Sequence, residues 1–337
     1  MGCIAEDRSA CPHPRGVSVR LTVCPDPMTA VTRTTDEEAI RDLNLYLYDD
    51  DGEIVLHRYQ SSSTLRFTSL PGNYRMRIAA NMGRDLGENP ASEDFTVTHA
   101  DEYDTLPMSY EGEVSIPSSD ETVTLPTVEV QRVVAKITYN ISVAPDAGDI
   151  RLHSVQPVNL PARMPVFDPG LRAAEYTAGE IVGSSSQTLT GTFYMLPNLQ
   201  GEVPSIADQR DKGPANAPAD ATFLRIRALR GSKVLDYYIY PGGNNTSNFD
   251  IRANTHYRLD IMIRGDAEVD TRIRAYTVEV RCTPEAALSN GFLLERKPMR
   301  LTLRLGGHYE EAGVEAFVEL KTGDVRYFGF EGQWGAV

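Results

Sequence analysis

Apolar and polar side chains alternate along most of this chain with a period of two. Val17, Val19, Leu21 and Val23 fall on one side of a segment whose other side carries Ser18, Arg20 and Thr22. The alternation returns at Val133, Ala135, Ile137, Tyr139, Ile141 and Val143, at Tyr257, Leu259, Ile261 and Ile263, and at Met299, Leu301, Leu303 and Leu305. Successive side chains of a strand point to opposite faces, so each run predicts a strand with one face on a core and the other in water. No constellation of reactive side chains interrupts these runs, which points to a scaffold and away from an enzyme.

Turn chemistry separates the runs. Pro25 and Pro27 break the chain after the first strand, and Thr35 and Glu38 stand in capping-box register, predicting a short helical turn before Ile40. Apolar runs from Leu43 to Leu47 and from Ile54 to His57 flank Asp49-Asp50-Asp51-Gly52, the signature of a hairpin. Leu65 and Phe67 mark the next strand, and Leu70-Pro71-Gly72-Asn73 a tight turn into Tyr74, Met76 and Ile78. Runs at 95–97, 114–116 and 123–125 bring the set to about seven strands, the complement of a sandwich.

A second set opens with the long run 128–143, which places a boundary near residue 127. Strands are expected at 150–155, 188–196, 223–228, 235–240, 249–251 and 257–263. Residues 200–220 form a Pro/Ala/Asp/Gly-rich loop, long enough to be either mobile or engaged in contacts. Near Arg272 a third stretch begins: an alternating run 276–282, then Thr283 and Pro284 as N-cap and N1 of a short helix, then strands at 299–305, 314–320 and 325–330. The expected organisation is all-β: a tether over 1–16, sandwiches over 17–126 and 127–270, and a β-rich extension or partial third domain over 271–337.

Charge and cysteine content narrow the partners. With 33 Lys and Arg against 47 Asp and Glu the formal charge is −14, which removes the clustered positive footprint of a nucleic-acid binder. No run approaches the ~18 apolar residues of a membrane helix. Met1-Gly2-Cys3 has the form of the remaining half of a bacterial lipobox. Followed by the polar, Pro-bearing stretch from Ile4 to Gly16, Cys3 is the expected lipidation site of a tethered domain. The other cysteines, Cys11, Cys24 and Cys282, lack metal-type C-x-x-C spacing. Cys11 and Cys24 could bridge the tether to the end of the first strand, and Cys282 continues an alternating run as a core residue.

Candidate chemistry is sparse. Asp49-Asp50-Asp51-Gly52-Glu53 lacks the remaining ligand positions of a calcium loop and reads as a solvated turn. The six histidines are scattered, with no pair at zinc spacing, and Ser184-Ser185-Ser186 lies outside any G-x-S-x-G elbow. No catalytic, cofactor or metal residues are expected. Tyr238 and Tyr240 share a strand face, and with Tyr257 they form either a sugar-stacking platform or part of the core. A surface glycan-binding lipoprotein is thus the alternative reading.

From Val128 onward the sequence resembles the Bacteroidales fimbrillin families, the subunits and anchors of type V pili. The resemblance rests on Val130-Gln131-Arg132-Val133-Val134-Ala135-Lys136-Ile137, Val155-Gln156-Pro157-Val158-Asn159-Leu160-Pro161 and Phe193-Tyr194-Met195-Leu196-Pro197-Asn198-Leu199-Gln200-Gly201. Ala221-Thr222-Phe223-Leu224-Arg225-Ile226 and Asn248-Phe249-Asp250-Ile251-Arg252-Ala253-Asn254-Thr255-His256-Tyr257 extend it, and Leu70-Pro71-Gly72-Asn73-Tyr74 looks like the family's N-terminal hairpin. It implies tandem transthyretin-like sandwiches of Greek-key, Ig-like type, an outer-membrane lipoprotein exposed on the cell surface, and assembly into a fimbrium with other subunits by donor-strand exchange. In polymerising members a protease cuts after an Arg and frees the first strand, whereas anchor-like members keep it, and the resemblance leaves both open. Here the matching positions are Arg33 and Thr34, and the exchangeable strand carries Val17, Val19, Leu21 and Val23. The Cys3 tether and the atypical C-terminal stretch favour an anchor, accessory or tip component that contributes to adhesion on a host or bacterial glycan or protein.

Overall fold

The computed structural model describes residues 15–26, 35–168, 170–184, 186–231, 233–265, 272–284 and 299–307, from 273 onward by backbone alone. The first unit contains β1 (Val17–Pro25), β2 (Leu43–Tyr48), β3 (Ile54–Gln60), β4 (Thr64–Ser69), β5 (Gly72–Ala80), β6 (Thr96–Thr98), β7 (Met108–Ile116), β8 (Val123–Thr124) and β9 (Val128–Arg132). Its main sheet runs β3-β2-β5-β7-β9-β1-β4, with β8 also paired to β1. Strands β3 and β4 stand at opposite ends of that order, yet only Ser61-Ser62-Ser63 joins them. The sheet therefore curls until its ends approach, and β1 comes to face β2 and β5 across a core of Leu45, Leu47, Met76, Ile78, Leu65 and Phe67.

The acidic hairpin turn between β2 and β3 is held by the carboxylate of Asp49. Asp49 Oδ1 accepts from the amides of Asp51 at 3.1 Å and Glu53 at 2.9 Å, and Gly52 takes a φ of 83° that a side chain would strain. The helical turn expected at Thr35 is a single 3-10 turn, Thr35–Glu38.

The second unit contains β10 (Ala135–Val143), β11 (Arg151–Val158), β12 (Leu160–Pro161), β14 (Tyr176–Thr177), β15 (Val182–Gly183), β16 (Thr188–Met195), β17 (Phe223–Arg230), β18 (Lys233–Ile239) and β19 (His256–Ile263), whereas the chain between β12 and β14 returns to the first unit as β13 (Arg163–Pro165), which pairs with β6 and adds Met164 and Val166 to the first core. A sheet β16-β10-β19 supplies Tyr139, Ile141 and Ile263 to a core that also takes Val155, Ile226 and Leu235 from the sheet beginning β15-β11-β17-β18. Two strands of the third stretch, β20 (Ile273–Pro284) and β21 (Met299–Gly307), continue this second sheet beyond β18.

Four expectations need correction. Strand β9 pairs with β1 and β7, so the passage between units falls at Val133-Val134 and not at 127. The single run expected over 128–143 is two strands in two sheets, because residues 132–137 are buried on both faces where the units meet. Residues 249–251 form no strand; Ile251 makes an isolated bridge to Asn198. Thr283 and Pro284 end β20 in place of starting a helix. Of the two readings of the 200–220 loop, contact holds: Ile206 and Lys212 are buried, and Val203 donates its amide to Ser247. The strands expected at 314–320 and 325–330, with Cys3, Cys11, Arg33 and Thr34, lie outside the described residues.

Candidate strand-exchange site

The first strand is an interior member of its sheet. Residues Val17 to Thr22 pair antiparallel with β4, in a register that sets Val19 opposite Phe67 and Leu21 opposite Leu65. On its other side β1 runs parallel to β8 at Val19 and Arg20 and to β9 from Val23 to Pro25. Val17, Val19, Leu21 and Val23 are 2%, 0%, 0% and 2% exposed, whereas Ser18 and Arg20 point into solvent. The alternation thus predicted the inward face correctly, residue by residue. Ladder bonds close both flanks: Val23 donates to the Ser63 carbonyl at 2.8 Å, and Arg20 accepts from the Leu125 amide at 2.9 Å.

A buried polar cluster gathers the chain at the end of β1. Asp26 donates its amide to the Val130 carbonyl at 2.8 Å, and its own carbonyl accepts from Arg132 Nη1 at 2.7 Å. The same guanidinium donates through Nε to the Glu37 carbonyl at 3.0 Å and through Nη1 to Asn254 Oδ1 at 3.1 Å. Glu37 Oε1 in turn accepts from Lys136 Nζ at 2.5 Å and from the Tyr194 hydroxyl at 2.8 Å. Asn254, in the left-handed region at φ 51°, returns a bond from Nδ2 to Asp26 Oδ2 at 3.1 Å. Burial, then the bond to Glu37, push the Tyr194 hydroxyl well above the usual phenol range.

Arg132 therefore bridges the two sides of segment 27–34, holding Asp26 before it and Glu37 after it. Charges taken out of water cost several kcal/mol each unless paired and hydrogen-bonded, and here the guanidinium, ammonium and carboxylate all have partners. Sequence reasoning missed this cluster. The signal was present: Arg132 and Lys136 continue the inward phase of Val128, Val130 and Val134, where an apolar residue is expected.

The aromatic platform does not form. Tyr238 and Tyr240 are 7% and 9% exposed and pack with Phe223 and Phe249, ring centroids 5.2–5.6 Å apart. Tyr257 lies on β19 in the other sheet, its hydroxyl accepting from the Arg252 amide and donating to the Asp250 carbonyl. Ile206, Val203 and Ala217 of the 200–220 loop pack on the cluster that Tyr238, Tyr240 and Phe249 form. Next to them Lys212 Nζ donates to the carbonyls of Asn244 at 2.8 Å and Asn248 at 2.7 Å and lies 4.9 Å from the Phe249 ring centre; burial pushes its pKa down to about 8. Cys24 is half-buried and forms no disulfide among the described residues. Among the described residues no group of three or more His, Cys, Asp or Glu is placed to hold a metal ion, and no helix is long and apolar enough to cross a membrane.

Residues 193–261, from the end of β16 through most of β19, match the family model of a domain of unknown function (DUF4906). No curated protein matches the chain. The fold is similar to that of a candidate cell adhesion protein from Bacteroides eggerthii, at 14% identity and a TM-score of 0.54, over 87% of this chain and 96% of that one. Similarity also extends to the tip fimbrial protein Mfa3 from Porphyromonas gingivalis, with C-terminal truncation, at 17% identity and a TM-score of 0.49, over 86% of this chain and 99% of that one. The all-β tandem-sandwich architecture is thus one already seen in solved structures.

Proposed function

We propose that this protein is a non-catalytic structural subunit of a cell-surface fimbria of the type V class, in which β1 fills a slot that an extended strand of another subunit takes over. The observation that carries the reading is the first strand itself: four fully buried apolar side chains on a ribbon flanked on both sides by strands of its own sheet. Such a ribbon can be replaced by any segment of matching alternation, with main-chain hydrogen bonds supplying affinity and the apolar pockets supplying register. The chain that joins β1 to the rest of the fold holds Arg33 and Thr34, between the two anchor points grasped by Arg132. The likeness in fold to a candidate cell adhesion protein supports the same class of role.

In this reading Cys3 carries the lipid that holds the subunit on the outer membrane, and the position is that of an anchor, accessory or tip component that contributes to adhesion. The test is limited proteolysis after Arg33, with an Arg33→Ala chain as control, followed by light scattering and electron microscopy. Loss of the N-terminal strand with appearance of end-to-end polymers, or capture of a related subunit, is the expected outcome. A cleanly cut protein that stays monomeric and binds no other subunit's strand removes the exchange role.

A further inference from the structure

Strands β7 and β9 part company soon after they meet. They pair only at Met108 with Arg132 and Ser109 with Gln131, whereas on its other side β7 stays paired with β5 as far as Ile116. From Tyr110 to Ile116, β7 therefore has an edge with no strand partner among the described residues. Backbone amides and carbonyls on such an edge are a template for another extended segment. The gap between this edge and residues 125–131 is a groove of about 600 Å³. Leu21 of the first strand lines it, as do Met76, Leu125 and Val128.

The two walls specify what fits. On β7 the inward positions are Tyr110, Val114 and Ile116, and the outward ones are the exposed Glu111 and Glu113. On β9 Val128 and Val130 are buried and Glu129 is exposed. A strand laid between them meets apolar neighbours on its inner face and carboxylates on its outer face. Asp26, Glu111, Glu113 and Glu129 line the groove, and no Lys or Arg does. Arg77 already holds Glu111 at 3.1 Å, but Glu113 and Glu129 form no ion pair among the described residues. The occupant must alternate apolar with cationic side chains.

Strand β21 has that pattern. Met299, Leu301, Leu303 and Leu305 alternate with Arg300, Thr302 and Arg304, and β21 is the terminal strand of its sheet among the described residues. We propose that the groove between β7 and β9 is a docking site for the Met299–Gly307 strand of a second copy of this chain, occupied while β1 is still in place. The inference rests on the exchange reading in one respect only: the groove is separated from β1 by β8 and β9 alone, so a strand docked there lies beside the slot that exchange would open.

The test is a fluorescent peptide of residues 299–307 titrated into the full chain carrying Arg33→Ala, so that the first strand is retained, and followed by anisotropy. Saturable binding is expected. Glu113→Arg with Glu129→Arg weakens it about tenfold, as does a peptide with Arg300→Glu and Arg304→Glu, and the two reversals together restore it. Both glutamates are exposed, so the fold tolerates the change. Absence of saturation up to about 1 mM, or binding indifferent to both reversals, overturns the proposal. Binding that is absent from the Arg33→Ala chain and appears only in the parent after cleavage at Arg33 also overturns it while leaving strand exchange intact. Charge-dependent binding by an uncut chain that never polymerises on cutting keeps the groove and removes the exchange reading.

Discussion

Removing the first strand is the perturbation with the largest calculable effect. Val17, Val19, Leu21 and Val23 are each no more than 2% exposed. At about 1.5–3 kcal/mol per buried side chain they contribute roughly 6–12 kcal/mol, and a compact unfolded chain reduces such sums by roughly 10–40%. What remains is comparable with the entire ~5–15 kcal/mol that holds an ordinary domain folded. A chain beginning at Thr34 should therefore lack a stable first unit. It should bind a hydrophobic dye and lose part of its cooperative urea transition, followed by circular dichroism. A synthetic peptide of residues 16–26 should restore both signals. If the shortened chain unfolds at the same urea concentration as the full one, the slot is not held open by β1 and the energetic basis of exchange is wrong.

Three further outcomes follow from buried side chains. Lys136→Met removes the buried ammonium that donates to the Glu37 carboxylate; the expected loss is about 3–5 kcal/mol, and a urea midpoint corresponding to less than ~1 kcal/mol would mean that water reaches the cluster. Tyr240→Ala removes a ring packed on Phe223 and Phe249 and should cost about 3–5 kcal/mol, seen as a lower Tm; an unchanged Tm would return these rings to the surface. Lys212 has its pKa lowered by burial from 10.5 to about 8. Between those values the unfolded chain binds more protons than the folded one, so stability rises with pH across that window, and below it the penalty is fully present. Denaturation midpoints of the parent should climb from pH 8 until the buried tyrosines begin to oppose the trend, and Lys212→Met should abolish the climb.

The polar cluster at Arg132 changes how cleavage and release relate. On the exchange reading, a cut within 27–34 would sever the covalent link, but the Arg132 guanidinium would still hold Asp26 on one side and Glu37 on the other. Together with pairing on both flanks of β1, this would make the strand a bound peptide after cleavage, displaced only by a competitor of similar reach. A flanking groove that receives the competitor first fits that requirement.

The hydrophobic pattern alone was enough to identify the all-β class, the strand at 17–23 and its inward face, because side-chain alternation is a local property of an extended backbone. It also located the hairpin at Asp49–Glu53, where the turn is closed by a carboxylate two and four residues from its amides. Where the chain passes between units, local pattern was misleading. Residues 128–143 read as one strand, since nothing local distinguishes a face covered by its own sheet from one covered by the neighbouring unit. Tyr238 and Tyr240 posed the same problem: their alternation says which face they share, and only packing against Phe223 and Phe249 decides that the face is closed. Arg132, Lys136, Glu37 and Asn254 are far apart in the chain, and their meeting depends on how two sheets abut. Alternation is written one residue at a time and survives without a fold, whereas burial of a charge or a ring requires surfaces that only the assembled tertiary structure brings together.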